Sequence, residues 1–250
     1  MARAAVLGRL TWRIGEVVEL VDEAPAVRTI VLDVPEWTGH RPGQHVDVRL
    51  TAEDGYQAQR SYSLASPPED ERVALTVERL PDGEVSPYLV DELRVGDGLE
   101  LRGPVGGYFV WEAAQGGPLL LVAGGSGIVP LAAMIRHRAA VGSTAATRVL
   151  YSARSLDEVI YRDELERLAR MDEAFDLVYT LTRSRPEGWE GYMRRVDREL
   201  LAEVVFPPGE NALAFVCGST GFVETVASEL VALGYLPSRV KTERFGPTGG

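Results

Sequence analysis

The chain has 250 residues, 45% of them apolar, which is enough for one large hydrophobic core or two smaller ones. Its 37 acidic and 26 basic residues give a charge of −11, which disfavours nucleic acid as a partner because phosphate backbones bind basic surfaces. A single cysteine, Cys217, excludes an intrachain disulfide and, with only three histidines beside it, argues against an iron–sulfur cluster or another metal site.

The hydropathy pattern gives no indication of a membrane or export segment. No stretch approaches the roughly 18 consecutive apolar residues of a membrane helix, and residues 1–10 lack the apolar run and cleavage site of a signal peptide. We therefore expect no membrane span and a location in the cytoplasm.

Short alternating apolar runs, broken by Pro-Gly and Asp-Gly turns, dominate the first part of the chain. This pattern is typical of an antiparallel barrel or sandwich, and we predict a six-stranded antiparallel barrel over residues 1–114. The clearest predicted strands are 15–21, 29–34, 45–50 and 73–80. Ser86 and Pro87 are expected to begin a short helix, with serine as its cap.

After Gly116-Gly117-Pro118, strands alternate with helices. That order predicts an α/β domain with a parallel sheet covered on both faces, over residues 115–250. The predicted strands are 119–123, 148–152, 176–182 and 212–217, and the predicted helices are 130–140, 162–170, 197–204 and 221–234. Residues 246–250 form a glycine-rich tail.

The segment from Leu119 to Pro130 contains a buried strand, a glycine-rich turn and the start of a helix. Glycines let a diphosphate approach the backbone, and the helix start offers free N–H groups. The match to a dinucleotide fingerprint is incomplete, because Pro130 stands where the last glycine belongs. A turn that serves only the chain path is the alternative.

Arg60-Ser61-Tyr62-Ser63 joins a cation, an aromatic ring and two hydroxyls at the end of a strand-like region. On an extended strand, Arg60 and Tyr62 would point to one face while Ser61 and Ser63 point to the other. A ligand would then have to wrap around the strand end, and an ordinary surface strand is the alternative.

Four motifs in this order resemble the ferredoxin–NADP reductase superfamily. They are Arg60-Ser-Tyr-Ser63, Gly83-Glu-Val-Ser86, Gly124-Gly-Ser-Gly-Ile-Val-Pro130 and Cys217-Gly218. The chain is most similar to the reductase modules of bacterial oxygenase systems, without the iron–sulfur domain that many of them carry. The resemblance implies an FAD-binding barrel followed by an NADP-binding or NAD-binding domain.

For FAD, the resemblance implies that Arg60 pairs with the diphosphate, Tyr62 packs against the isoalloxazine and Ser63 lies near flavin N5. Other implied contacts come from Ser61, Val77, Arg79, Gly83, Val85 and Ser86. For Ser86, simple helix capping is the alternative.

For the nicotinamide coenzyme, the resemblance implies that Gly125, Ser126 and Gly127 bind the diphosphate, with Cys217 and Gly218 beside the nicotinamide. A buried, unreactive cysteine is the alternative for Cys217. Ser152, Arg154 and Arg183 follow two predicted strands where an acidic residue would favour an unphosphorylated ribose, so we expect NADPH rather than NADH. Asp157 or Glu158 could neutralise Arg154.

Glu243-Arg244-Phe245 is similar to the acidic-x-aromatic ending of the family. The resemblance implies that Phe245 covers the flavin and that Glu243 polarises the site, so Ser63, Cys217, Glu243 and Phe245 form the expected catalytic set. Five residues follow Phe245, which departs from the family pattern and leaves a packed-core role open.

The implied activity is hydride transfer from NADPH or NADH to FAD, followed by electron delivery to a ferredoxin or oxygenase component. Two alternatives remain: reduction of a small molecule such as free flavin, ferric chelate or quinone, and a non-catalytic flavin- or nucleotide-binding subunit. An acidic carrier would need a local basic patch. The candidate cations are Arg72, Arg94, Arg102 and Lys241, and the oligomeric state stays open.

Overall fold

The computed structural model describes residues 10–245, and its first half is a six-stranded antiparallel sheet. The strands are β1 (Arg13–Ala24), β2 (Val27–Asp33), β3 (His45–Thr51), β4 (Gln57–Ser63), β5 (Val73–Glu78) and β6 (Gly98–Val105). Their order in space is β4-β3-β6-β1-β2-β5, and the edges approach one another at a bridge between Leu64 and Leu75. The predicted six-stranded antiparallel architecture is confirmed.

Alternate side chains along these strands form the core of the barrel. Ile30 and Leu32 of β2, and Val46 and Val48 of β3, are fully buried, as period-two alternation predicts.

One short helix, Tyr88–Glu92, follows β5 and buries Leu89 and Val90. The expectation that Ser86 caps this helix is wrong. The Ser86 hydroxyl oxygen instead accepts the backbone N–H of Leu80 at 3.0 Å, which ties the preceding turn together.

The second half is a parallel sheet, as predicted, with the four predicted strands and a fifth strand, at one edge, that the sequence did not predict. Its strands are β7 (Leu119–Gly124), β8 (Thr147–Ala153), β9 (Phe175–Leu181), β10 (Leu213–Ser219) and β11 (Val240–Phe245), in the order β11-β10-β7-β8-β9. The helices are α1 (Ile128–Ala140), α2 (Arg162–Met171), α3 (Arg198–Val204) and α4 (Thr220–Ala232). No helix within residues 10–245 has the length and apolar character needed to cross a membrane.

Both faces of this sheet are covered, which explains the continuous apolar run of β7. Leu119 and Leu121 belong to the cluster that includes α1, whereas Leu120 and Val122 belong to the cluster that includes α3 and α4. All five strands point the same way, so their carboxyl ends form one edge where ligands of such sheets usually bind.

The two halves share a hydrophobic contact. Ala65 and Phe109 from the first half pack into the cluster around α1, and the ring of Phe109 meets Phe215 of β10 edge-on, with centroids 5.2 Å apart. This contact brings the carboxyl edge of the parallel sheet beside the barrel.

Candidate functional site

Two of the sequence motifs meet at the mouth of the barrel. Arg60 Nη2 donates to Glu84 Oε2 at 2.7 Å, and the Tyr56 hydroxyl donates to Glu84 Oε1 at 2.6 Å. Glu84 lies in the segment from Gly83 to Ser86, so Arg60 and that segment are neighbours. Nearly half of the Arg60 side chain is exposed, which leaves its guanidinium accessible to a phosphate that displaces Glu84.

Tyr62 and Ser63 face opposite sides of β4, as alternation predicts. Tyr62 pairs with Val46 in register and packs against the barrel core, and burial raises the pKa of its hydroxyl to about 12. Ser63 pairs with His45 and is 4% exposed, and among the described residues its Oγ has no hydrogen-bond partner. Because buried hydroxyls are normally hydrogen-bonded, a polar ligand atom near Ser63 fits this position.

The segment Val77 to Arg79 lies at the end of β5. Val77 is fully buried. The backbone N–H of Arg79 already donates to Ala26 O at 2.8 Å, and its side chain pairs with Asp91 at 2.6 Å. The remaining backbone groups of this segment are therefore better candidates for holding a ligand than the N–H of Arg79.

The glycines of the turn after β7 have different physical roles. A Cβ at Gly127 would lie 2.1 Å from the carbonyl oxygen of Cys217, one at Gly218 would lie 2.8 Å from the ring of Phe222, and one at Gly124 would lie 3.0 Å from the same ring, a tight contact. Only Gly125 among these four has nothing within 4 Å of its Cβ position, and it has a φ of +56°. Gly125 is thus the position whose backbone is open to a diphosphate, while the others allow close packing.

The carboxyl edge of the sheet meets the barrel around Glu243. Glu243 pairs in register with Cys217, and its Oε1 lies 3.9 Å from Nδ1 of His45. Its Oε2 is buried and has no hydrogen-bond partner within residues 10–245, and burial raises the pKa of Glu243 to about 7. Burial likewise raises the pKa of the Cys217 thiol, which argues against a reactive thiolate.

His45 completes a line of side chains across the two halves, from Ser63 through His45 and Glu243 to Cys217. Burial lowers the pKa of His45, although the carboxylate of Asp47 acts in the opposite direction. Sequence reasoning missed this histidine. Its place on a predicted strand was visible, but its neighbours on β4 and β11 depend on tertiary pairing.

Ser152, Arg154 and Arg183 are brought to one edge at the ends of β8 and β9. The backbone N–H of Arg183 donates to Arg154 O at 2.9 Å, and Ser152 is half-buried. Arg154 lies 3.8 Å from Glu158, and more than half of its side chain is exposed. The structure therefore contains the ion pair with Glu158 that could neutralise Arg154.

Phe245 is the last described residue of β11 and packs, half-buried, against the cluster around α1. The glycine-rich tail at 246–250 lies outside the described residues.

Of the four candidate cations, Arg102 pairs with Asp47 at 2.7 Å, Lys241 lies 4.4 Å from the centre of the Tyr108 ring, and Arg72 shares a depression with several carboxylates. Within residues 10–245, no group of three His, Cys, Asp or Glu side chains is arranged to hold a metal.

Comparison with known proteins agrees with this arrangement. The family model described as the oxidoreductase FAD-binding domain matches residues 15–110, and the one described as the oxidoreductase NAD-binding domain matches residues 121–228. The two halves together define a flavin- and nicotinamide-nucleotide-binding oxidoreductase. Ferredoxin–NADP reductase B of Sorangium cellulosum is 36% identical, over 81% of this chain and 84% of its own length. The chain belongs to the ferredoxin–NADP reductase superfamily of flavoproteins.

Two further relatives cover more of the chain. The glycine betaine monooxygenase reductase subunit of Pseudomonas aeruginosa is 33% identical over 92% of this chain, which spans 63% of that relative's length. The flavohem-like FAD/NAD-binding domain of nitric oxide dioxygenase from Vibrio cholerae superposes with a TM-score of 0.84 at 27% identity, covering 94% of this chain and 99% of that domain.

Proposed function

We propose that this chain oxidises NADPH, passes hydride to bound FAD and delivers electrons to an acceptor outside these 250 residues. The observation that carries the proposal is a pair of buried polar atoms on either side of His45, Ser63 Oγ from one half and Glu243 Oε2 from the other, neither of which has a partner in the described part of the chain. Such atoms are costly to bury unless a ligand satisfies them. Their place between an FAD-binding and an NAD-binding domain fits the meeting point of flavin and nicotinamide.

The flavin supplies the redox chemistry, since it accepts hydride at N5 from nicotinamide C4 and can release electrons singly. The protein supplies binding and orientation. In this proposal Arg60 exchanges Glu84 for the FAD diphosphate, Tyr62 packs on the ring system and Ser63 donates to its reactive edge. Other cofactor contacts come from Ser61, Val77, Arg79, Gly83, Val85 and Ser86.

On the nucleotide side, the open backbone at Gly125, with Ser126 and the closely packed Gly127, holds the coenzyme diphosphate. Cys217 and Gly218 form the wall beside the nicotinamide, and Phe245 covers the flavin. Cys217 acts as a small buried surface in this proposal, because its raised pKa disfavours the thiolate.

The proposed coenzyme preference for NADPH rests on Ser152, Arg154 and Arg183 at one edge of the sheet. A guanidinium binds a phosphate more strongly than an uncharged ribose hydroxyl. Glu158 competes for Arg154, but at 3.8 Å and with both side chains substantially exposed this ion pair is weak.

The proposed acceptor is a ferredoxin or an oxygenase component. A relative that spans 92% of this chain is named the reductase subunit of a monooxygenase. The single cysteine of this sequence cannot ligate an iron–sulfur cluster on its own, so the electrons must leave these residues.

Anaerobic stopped-flow reduction of the purified protein tests the activity. We expect a yellow protein with a flavin spectrum, bleached by both coenzymes and faster by NADPH. A colourless protein that cannot be reconstituted with FAD would refute the proposal.

Arg154→Ala is the matched variant for coenzyme choice. Loss of one charged contact of this kind typically costs about 1.5–3 kcal/mol, so NADPH should lose roughly 10- to 150-fold in apparent affinity while NADH is unaffected. An unchanged preference would remove Arg154 from the assignment without affecting the flavin chemistry.

A further inference from the structure

A polar network, buried at its centre and partly exposed at its ends, joins the two halves on the side of the barrel where β4 and β5 meet. Arg136 of α1 holds Glu164 of α2 through two hydrogen bonds, Nε to Oε1 at 2.9 Å and Nη2 to Oε2 at 2.6 Å. Its remaining terminal nitrogen, Nη1, donates to Ala65 O at 2.7 Å. The guanidinium also lies 4.4 Å from the centre of the Tyr161 ring.

Tyr161 makes the second connection. Its hydroxyl donates to Thr76 Oγ1 on β5, Thr76 Oγ1 lies 2.7 Å from Thr29 Oγ1, and the Thr29 hydroxyl donates to Glu23 Oε1 at 2.7 Å. Tyr161 and both threonines are buried. Each hydroxyl therefore has a partner, and a fully satisfied buried chain of this kind resists displacement.

The backbone conformation of Tyr161 is evidence that this contact has a functional role. Its φ is +59°, in the left-handed region that non-glycine residues rarely adopt. Such a conformation persists only where the surroundings enforce it, and it often occurs at functional positions. Here it lets Tyr161 cap the start of α2 while its ring reaches the barrel.

Both connections end next to the residues assigned to the flavin. Ala65 is two residues after Ser63, and Thr76 directly precedes Val77. The N–H of Ala65 also donates to Ala74 O at 2.8 Å. The two segments that Arg136 and Tyr161 contact are therefore hydrogen-bonded to each other where the barrel closes. Arg136, in turn, lies on the helix that begins at the glycine turn.

We propose that Arg136 and Tyr161 are positioning residues for hydride transfer, which fix the nucleotide domain against the flavin-binding strands at the distance the reaction needs. This rests on the proposed NADPH-to-FAD activity. A misplacement of about 1 Å far from the reacting atoms can cost about 100-fold in rate. Within residues 10–245, neither side chain hydrogen-bonds to an assigned coenzyme or flavin position, so their loss should change geometry rather than binding.

The test compares Tyr161→Phe and Arg136→Lys with two matched controls in the flavin-loaded protein. Tyr235→Phe removes a buried tyrosine hydroxyl that donates to Phe206 O at 2.7 Å within the nucleotide domain. Arg138→Lys alters a buried arginine of the same helix α1 that binds Asp172 and Ala145 O, also within that domain. The controls lose comparable bonds that do not join the two halves.

For Tyr161→Phe we expect the limiting rate of flavin reduction at saturating NADPH to fall about tenfold or more. The flavin spectrum and the NADP⁺ dissociation constant should stay unchanged, and amide hydrogen exchange should accelerate at Ala65 and Thr76. The control variants should be reduced at the wild-type rate. Equal rates for Tyr161→Phe and Tyr235→Phe would overturn the proposal and leave a purely structural bond.

A double-mutant cycle keeps the proposal testable if Arg136→Lys does not fold. Tyr161→Phe and Thr76→Val remove opposite ends of one hydrogen bond, so the double variant should be no slower than the slower single variant. Multiplicative slowing would overturn the positioning role. A wild-type protein that NADPH does not bleach would instead refute the proposed function, so the two failures are distinguishable.

Discussion

The residues that say most about the candidate site are those with a buried polar atom. Ser63 and Glu243 come from different domains and are separated by 180 positions in the sequence numbering, and each has a buried oxygen for which residues 10–245 provide no partner. A folded protein normally satisfies such groups, so their proximity around His45 defines the site more sharply than the apolar contacts do. The ionisation of Glu243 is then the property most open to measurement.

Glu243 should make flavin reduction depend on pH near neutrality. Burial raises its pKa to about 7, so the carboxyl group is largely neutral below that pH and ionised above it. As hydride leaves the nicotinamide, positive charge develops on the ring, and a nearby carboxylate stabilises it. We therefore expect the limiting rate of reduction to rise with pH through about 7 and the rise to vanish in Glu243→Gln.

Stopped-flow measurements from pH 5.5 to 8.5 would be interpreted against Glu224→Gln, which changes an exposed glutamate on α4. That control should keep the wild-type profile. An unaltered profile in Glu243→Gln would assign the titration to another group, with His45 as the nearest candidate at 3.9 Å.

At the scale of single elements, glycine substitutions before and after α1 distinguish the effect of backbone strain from the effect on ligand binding. Gly125 and Gly142 both have positive φ, +56° and +62°, and neither has an atom within 4 Å of its Cβ position. An alanine at either position costs roughly 1–2 kcal/mol of left-handed strain. Both variants should therefore fold with a similar loss of stability in urea unfolding.

Only Gly125→Ala should also weaken NADP⁺ binding, because Gly142 lies at the far end of α1. Gly127→Ala should prevent the domain from folding normally, since its methyl group would meet the Cys217 carbonyl oxygen at 2.1 Å. Equal NADP⁺ affinities in Gly125→Ala and Gly142→Ala would contradict the assigned diphosphate position.

Periodicity predicted the elements whose burial is regular. β7 and β10 are mostly apolar runs between turn signals, β8 has a shorter apolar centre at 149–151, and the amphipathic pattern of α2 places Leu165 in the core. β11 was not predicted as a strand because Lys241, Glu243 and Arg244 interrupt its apolar pattern. Its charged face lies against the other domain, which a single sequence does not reveal.

β6 was also missed, although its buried residues Leu99 and Leu101 alternate as in the strands that were predicted. The candidate site likewise contains residues that the local sequence predicts and residues that only tertiary contacts reveal. The motifs predicted Arg60, Ser63 and Gly125 as candidates, but the neighbours Glu84 of Arg60 and His45 of Ser63 depend on tertiary contacts. The left-handed backbone of Tyr161 opposes local propensity and could not be predicted.

At the scale of the whole molecule, charge constrains how an acceptor can approach. The net charge of −11 repels an acidic carrier unless a local basic surface compensates. Two of the cations considered for that surface are beside carboxylates: Arg102 is bound to Asp47, and Arg72 shares a depression with Glu69, Asp70 and Glu71. The structure therefore favours repulsion as the long-range interaction with an acidic partner.

This charge balance determines whether salt should accelerate or slow electron delivery to the acceptor. Raising ionic strength from about 0.01 to 0.15 M shortens the screening length from about 30 to about 8 Å, which weakens long-range repulsion. With the flavin reduced by light beforehand, so that coenzyme binding plays no part, electron transfer to an acidic ferredoxin should accelerate over this range. Transfer to an uncharged quinone, as the control, should not change. A rate that falls with salt would instead show that a local basic surface attracts the carrier, and would support Lys241 and Arg94 as docking residues.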